Sequence, residues 1–365
     1  MTLDLIKMQN NYIIVLGGSE LQLPIISYLL EINFQNILVF DYNIDCIASK
    51  LNLVDFVNIS SINHIKIIEY LNKNNILIKA IITNSDKAIL TKSILDNKYN
   101  LKGINEEIAL LSIDKTLQLD YCVKHSIKHP LYSIIKKNND LNKVNYFPGV
   151  LKPIQSSGSR GVMKINNFNE LNKGFEKLKN DKYDSILYQE YITGDEFSIE
   201  GFVVNGKINI LGITEKIKFN SEKYFVESGH IFPAEIDSLL EEKITYFTKS
   251  LLKPIGLISV PFHVEVKVKD NEIVLIEFAL RLGGDFITSK LVLFSTGINP
   301  IEILIKINLG LNDFNFSPNK VIERVGISFG KNVIRFKNII EDKSNFMDNI
   351  KTSSFDRSGY IIGYL

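Results

Sequence analysis

Between His263 and Phe278 the sequence leaves little freedom in how the chain can pair. His263-Val264-Glu265-Val266-Lys267-Val268 alternates polar and apolar residues, so His263, Glu265 and Lys267 share one face of a strand and the valines the other. A second run, residues 273–278, carries Glu277 near its end. One face of such a hairpin is buried, so the valines are expected to meet Val274 and Ile276. That register pairs Val266 with Ile276, sets Glu265 opposite Glu277, and requires an odd-length turn centred on Asn271. Two carboxylates opposed at roughly 5 Å between Cβ atoms repel each other. A hard divalent cation relieves the repulsion, because Mg²⁺ takes one or two carboxylates together with nucleotide phosphates. The alternative is a solvated pair beside Lys267, and the metal reading of Glu265 and Glu277 is preferred.

The chain before this hairpin changes character near residue 110. Apolar runs at Tyr12–Leu16, Ile37–Phe40, 56–59 and 80–83 alternate with helical patterns, which predicts a parallel sheet covered on both faces. Residues 1–110 therefore read as a Rossmann-like domain. Gly17-Gly18-Ser19 after the first strand and Asp41 after the second invite a dinucleotide reading. The third glycine of that fingerprint is missing, and a tight strand-to-helix turn is the preferred reading.

From residue 111 to about 320 a second pattern follows. Residues 110–126 read as one helix, stopped at His129-Pro130. A strand carrying Lys152 enters the loop Ser156-Ser157-Gly158-Ser159-Arg160-Gly161 and leaves it as another strand. Such a loop offers backbone N–H groups and hydroxyls to an anion; it is equally an ordinary hairpin tip. It lacks the ending of a Walker loop. Asn205-Gly206 between alternating apolar runs predicts a hairpin. Arg281 and Gly283-Gly284 follow the acid pair, suiting bidentate contact with an anion and close approach of a carboxylate to the backbone. His125 and His129 have helical spacing, but no further ligand completes a zinc site. His230 and His263 are pocket candidates. Residues 321–365 are expected to form a strand, a charged helix and a last strand.

Composition excludes some classes of partner. Lys and Arg number 42 against 41 Asp and Glu, so no global field exists to hold nucleic acid or an anionic membrane. No stretch approaches the ~18 apolar residues of a membrane span. Met1 to Asn10 does not resemble a signal peptide, and two cysteines suit a reducing compartment, so a cytoplasmic protein is expected.

Taken in order, these segments resemble the ATP-grasp superfamily, most closely its carboxylate–amine ligases related to carbamoyl-phosphate synthase and L-amino-acid ligases. The matching text is Val150-Leu-Lys-Pro-Ile-Gln-Ser-Ser-Gly-Ser-Arg-Gly-Val162, Tyr188-Gln-Glu-Tyr-Ile-Thr-Gly-Asp-Glu-Phe-Ser-Ile-Glu200 and Glu227-Ser-Gly-His-Ile-Phe-Pro-Ala234. Phe262-His-Val-Glu265 and Ile276-Glu-Phe-Ala-Leu-Arg-Leu-Gly-Gly-Asp-Phe-Ile287 follow, and Leu16-Gly-Gly-Ser to Ala48-Ser-Lys-Leu51 resembles a pre-ATP-grasp domain. The fold class implied is α/β and α+β: a Rossmann-like pre-ATP-grasp domain, then an ATP-grasp fold over 111–320 with a flexible lid subdomain at about 148–190. Residues 321–365 would complete its lobe.

The resemblance also implies roles. Lys115 and Lys152 would contact ATP phosphates under the loop of Ser156, Ser157, Gly158, Ser159 and Arg160. Glu190 and Ile192 would meet adenine through their backbones, and Glu196 the ribose. Glu265 and Glu277 would bind Mg²⁺ or Mn²⁺. Arg281 and Lys152 would be catalytic, Arg281 stabilising an acyl phosphate and the tetrahedral intermediate. His230, His263, Arg281, Gly283 and Gly284 would line the substrate site. Small-molecule carboxylate and amine substrates follow from this, as does a homodimer. The alternatives are a thiol or bicarbonate as co-substrate, or a silent ATP-binding protein. Two departures stand out: Ala279 occupies a position commonly held by Asn, and Gln189 one that is commonly acidic.

Overall fold

The computed structural model describes residues 11–155, 158–219, 224–320, 322–346 and 353–365. Its first sheet is four-stranded and parallel, in the order β3-β2-β1-β4. The strands are β1 (Tyr12–Leu16), β2 (Ile37–Phe40), β3 (Asp55–Val57) and β4 (Ile78–Ile82). Alternate residues serve opposite faces. Ile14, Leu16, Leu38 and Phe40 pack against Ile67, Leu71, Ala88 and Leu95 of the helices His64–Lys73 and Asp86–Lys98. Ile13, Val15 and Val39 pack against Ile25 and Leu29 of Leu23–Glu31, and against Ile301, Leu304 and Ile305. The last three belong to the helix Pro300–Leu309, so this sheet borrows its second cover from far along the chain.

A second four-stranded sheet, β5-β8-β6-β7, comprises β5 (Tyr132–Ile135), β6 (Gly149–Pro153), β7 (Met163–Ile165) and β8 (Ile186–Glu190). Leu151, Met163, Ile165 and Tyr188 bury one face against Leu171, Phe175 and Leu178 of the helix Phe168–Asn180. Cross-strand pairing of Lys152 with Leu187 and of Val150 with Gln189 leaves these four residues on the other face.

The main sheet has eight strands in the order β13-β12-β9-β10-β11-β14-β16-β15. They are β9 (Asp195–Val204), β10 (Lys207–Lys218), β11 (Glu227–Phe232), β12 (Val260–Lys269), β13 (Glu272–Ala279), β14 (Val325–Ser328), β15 (Asn338–Asp342) and β16 (Ile361–Tyr364). Val264, Val266, Phe197 and Ile199 form its apolar face, covered by Ile244 and Leu251 of the helix Ser238–Leu252.

Three sequence expectations need correction. Residues 110–126 do not form one helix. Asp114 breaks the run into Glu106–Ile113 and Lys115–Lys124, its carboxylate accepting the N–H groups of Thr116 and Leu117 at 2.8 and 3.2 Å. Among its described residues the tail is not strand–helix–strand. Its charged piece supplies β15, whose Glu341 and Asp342 lie on a sheet edge where charge discourages further pairing. Residues 347–352, also within that expected helix, lie outside the described residues.

The third correction concerns the acid hairpin. Glu265 does face Glu277, but Val266 faces Leu275, not Ile276. The turn is the two-residue Asp270-Asn271, both at positive φ (51° and 63°), between paired Lys269 and Glu272. A bulge between Glu265 and Val266 absorbs the difference in parity. The opposition of the two acids therefore agrees with expectation, although the valines meet Leu275 and Ile273 in place of Ile276 and Val274, and the turn obeys local hairpin geometry.

Among the described residues no single helix is long and apolar enough to cross a membrane. The helices Ile287–Thr296 and Pro300–Leu309 pass that test only together, bent by 113°, and the second is a core helix of the first sheet.

Candidate functional site

The main sheet's other face is polar, and strand alternation builds it. One row across the sheet reads Glu277, Glu265, Ser198, Thr214; beside it lie His263 and Glu200, and then Lys267, Glu196, Lys216 and His230. Charges of both signs interleave. Lys216, with its side chain only 4% exposed, reaches Glu265 at 2.7 Å, Glu196 at 3.3 Å and Glu227 at 3.4 Å. Lys218 also pairs with Glu196. Burial opposes the charge of Lys216, yet Glu265, Glu227 and Glu196 hold it well above its usual range. Lys216 and His263 in turn hold Glu265 well below the carboxylate range despite its burial.

His263 lies between two acids, Nδ1 2.9 Å from Glu200 Oε1 and Nε2 3.0 Å from Glu265 Oε1. Although burial disfavours its charge, Glu200 and Glu265 raise it to about 9. Both ring nitrogens of His263 therefore face carboxylates, Glu200 on one side and Glu265 on the other. Glu200 is fully buried beneath Gly283, where an added Cβ would meet Glu200 Oε2 at 2.5 Å and His263 Nδ1 at 3.0 Å. A Cβ on Gly284 would meet nothing within 4 Å. Gly283 is thus required by packing, whereas Gly284 borders open space.

The Asp114 cap fixes the start of the helix Lys115–Lys124 and places Lys115 Nζ 3.1 Å from Glu277. Lys152, buried on β6, is pushed down to about 8 by burial, with Glu277 opposing and Lys115 reinforcing that shift. Arg281 donates from Nε and Nη2 to the two carboxylate oxygens of Asp86, at 2.5 and 2.8 Å. His230 is buried, with Nε2 3.4 Å from Asp285 and Nδ1 unpartnered. Asp285 also holds Arg357, which stacks 3.9 Å over the Phe329 ring.

At the candidate hinge, Glu190 N–H donates to Leu131 O at 2.8 Å, so a base contact by Glu190 falls to its carbonyl. Ile192 follows the end of β8. In the candidate flap, Ser156 and Ser157 lie outside the described residues. Gly158 O accepts from Ser354 N–H at 3.1 Å, Ser159 Oγ donates to Phe225 O at 3.1 Å, and Arg160 is exposed.

The structure therefore brings Lys115, Lys152, Glu196, Glu265, Glu277 and Arg281 within electrostatic reach of one another beside this polar face. It adds Lys216, Lys218, Glu200, Asp86, Asp285 and Arg357, which sequence reasoning missed. For Lys216 a signal existed: Thr214-Glu215-Lys216-Ile217-Lys218 continues the alternation of the preceding run.

Residues 145–289 match the family model of the ATP-grasp domain. Dapdiamide A synthase of Enterobacter agglomerans is 24% identical over 218 residues, 57% of this chain and 51% of that protein. D-alanine–D-alanine ligase of Flavobacterium psychrophilum is 27% identical over 165 residues, 42% of this chain and 50% of that protein. The chain thus spans about half the length of these curated relatives. The crystal structure of L-amino acid ligase from Bacillus licheniformis has the same fold, with a TM-score of 0.80 at 19% identity over 98% of this chain and 93% of that one.

Proposed function

Because residues 145–289 match the ATP-grasp domain family, we propose that this chain is a cytoplasmic ATP-dependent carboxylate–amine ligase acting on a small acid such as an amino acid or sugar acid. One observation carries the reading. Glu277 and Glu265 face each other on adjacent strands, and each is neutralised by a lysine, Lys115 or Lys216. Binding of a metal–nucleotide would exchange these partners, the acids turning to the cation and Lys115 to phosphate. Among the described residues no group of three or more His, Cys, Asp or Glu could hold a metal by itself. Two carboxylates that leave the remaining positions to phosphate oxygens suit Mg²⁺ or Mn²⁺. When bound, that ion would neutralise charge developing on the phosphates.

The chain's own residues do the rest. Lys115 and Lys152 hold the phosphates, the Glu190 carbonyl and the Ile192 backbone hold adenine, and Glu196 lies on the ribose side. Arg281 and the backbone beside Gly283 and Gly284 orient the acid, whose oxygen attacks the γ-phosphorus as ADP departs. An amine then attacks the acyl carbon, phosphate leaves, and the amine loses a proton to solvent. Flap closure excludes water from the acyl phosphate. A homodimer accords with this reading.

The test is phosphate release from Mg·ATP across a panel of amino acids and sugar acids, with mass spectrometry of products. Release that requires both acid and amine, with a dehydrated conjugate, supports the ligase. A thiol- or bicarbonate-dependent product would replace the acceptor, and tight nucleotide binding without turnover would favour a silent binder.

Lys152 supplies a pH prediction. With its pKa lowered to about 8, it carries its charge below that pH and loses it above. If phosphate binding needs the ammonium, affinity for a non-hydrolysable ATP analogue falls about tenfold between pH 7 and 9. Lys152→Arg, always charged, is expected to flatten the profile. A flat wild-type profile would remove Lys152 from the phosphate site.

A further inference from the structure

We propose that Asp86 is the positioning residue that aims Arg281 at the reacting carboxylate, so that the N-terminal sheet takes part in the chemistry; this rests on the ligase reading above. Asp86 is the first residue of the helix Asp86–Lys98, just beyond β4, and lies 195 residues from Arg281 in sequence. Its two oxygens take Nε and Nη2 of Arg281, while Nη1 donates to Leu282 O at 2.9 Å. A guanidinium has five N–H donors. Three are engaged here, so the two that remain lie one on each terminal nitrogen.

The bidentate fork fixes the plane of the guanidinium, and with it the direction of those two donors. Both side chains are largely buried, at 15% and 25% exposure. The junction is packed as well as paired, because Leu282 is buried in one cluster with Ile25, Ile298 and Ile301. A helix N-terminus favours a carboxylate, so Asp86 is itself well held. Glu277 and Glu265 also act electrostatically on Arg281. Without Asp86, the guanidinium would turn towards these acids and be lost to the substrate.

The probes are two acyl phosphates, which bypass the unidentified acid. With Mg·ADP, carbamoyl phosphate would return its phosphoryl group to form ATP and release carbamate; acetyl phosphate would release acetate. Asp86→Asn is expected to slow ATP formation about 30- to 100-fold, with the Kd for Mg·ADP changed less than about twofold. Arg281→Lys is expected to fall similarly. The double variant should lie within about threefold of Arg281→Lys alone, because Asp86 acts through Arg281. Losses that multiply, or Asp86→Asn at the wild-type rate, overturn the assignment. Should Asp86→Asn fail to fold, Asp86→Glu keeps the charge while displacing the fork, and a wild-type rate in that variant overturns it equally. A wild-type chain that binds Mg·ADP but makes no ATP from either acyl phosphate overturns the ligase reading itself, and Asp86's role with it.

Discussion

Glu277→Gln is expected to lower substrate-dependent phosphate release by roughly 10³-fold while the protein keeps its fold. The side chains are nearly isosteric, so the change removes charge and little else. Glu277 is 31% exposed and pairs with Lys115, an arrangement in which loss of the pair costs about 1 kcal/mol or less. Its role in the proposed reaction is much larger. A carboxamide cannot neutralise a hard cation, and Glu265, already engaged by Lys216 and His263, cannot replace it. Glu265→Gln would be a poorer experiment, because it would also disturb the buried network beneath. The decisive measurements are phosphate release and Mn²⁺ binding in the presence of ADP. A variant keeping more than about a tenth of the rate with unchanged Mn²⁺ affinity would refute the metal assignment.

How far such a site can be read from sequence depends on the range of the interaction. Glu265 and Glu277 were legible because strand alternation and burial of the valine face act over a few residues. The reading survived an error in the turn, since Asp270-Asn271 and the bulge after Glu265 preserve the face of each acid. The strand that carries Lys152 and the hairpin at Asn205-Gly206 were legible for the same local reasons. The break at Asp114 was local too, but a capping carboxylate inside an apolar run is easily taken for a helical surface residue. Asp86 and Arg357 were beyond reach: their partners are Arg281 and Asp285, brought to them only by the packing of separate elements. The same holds for the helix Pro300–Leu309, whose apolar face matches a sheet more than 200 residues earlier in the chain.

Lys216→Met should be the most destabilising single change in the polar face. Methionine keeps most of the aliphatic stem but leaves Glu265, Glu196 and Glu227 without the cation that all three share. Removing one partner of a buried ion pair costs about 3–5 kcal/mol, because the other charge stays buried and unpaired. Lys218 still compensates Glu196 and His263 remains 3.0 Å from Glu265, so the damage falls on Glu265 and Glu227. In the wild type, Glu265 lies well below the usual carboxylate range. Its contribution to stability is therefore full above the unfolded value of about 4.3 and is lost as pH falls through the lowered folded value. In the variant only His263 is left to oppose burial, so Glu265 titrates above its wild-type value, and folding is penalised while the acid is charged and relieved as it takes up a proton. The melting temperature should consequently drop by about 5–10 °C at pH 8, and the gap to wild type should narrow towards pH 5. Differential scanning fluorimetry across that range distinguishes charge from packing. A gap that does not change with pH would mean that lost contacts of the lysine stem, not uncompensated carboxylates, account for the destabilisation. A variant as stable as wild type at pH 8 would mean that the three acids do not depend on Lys216 at all.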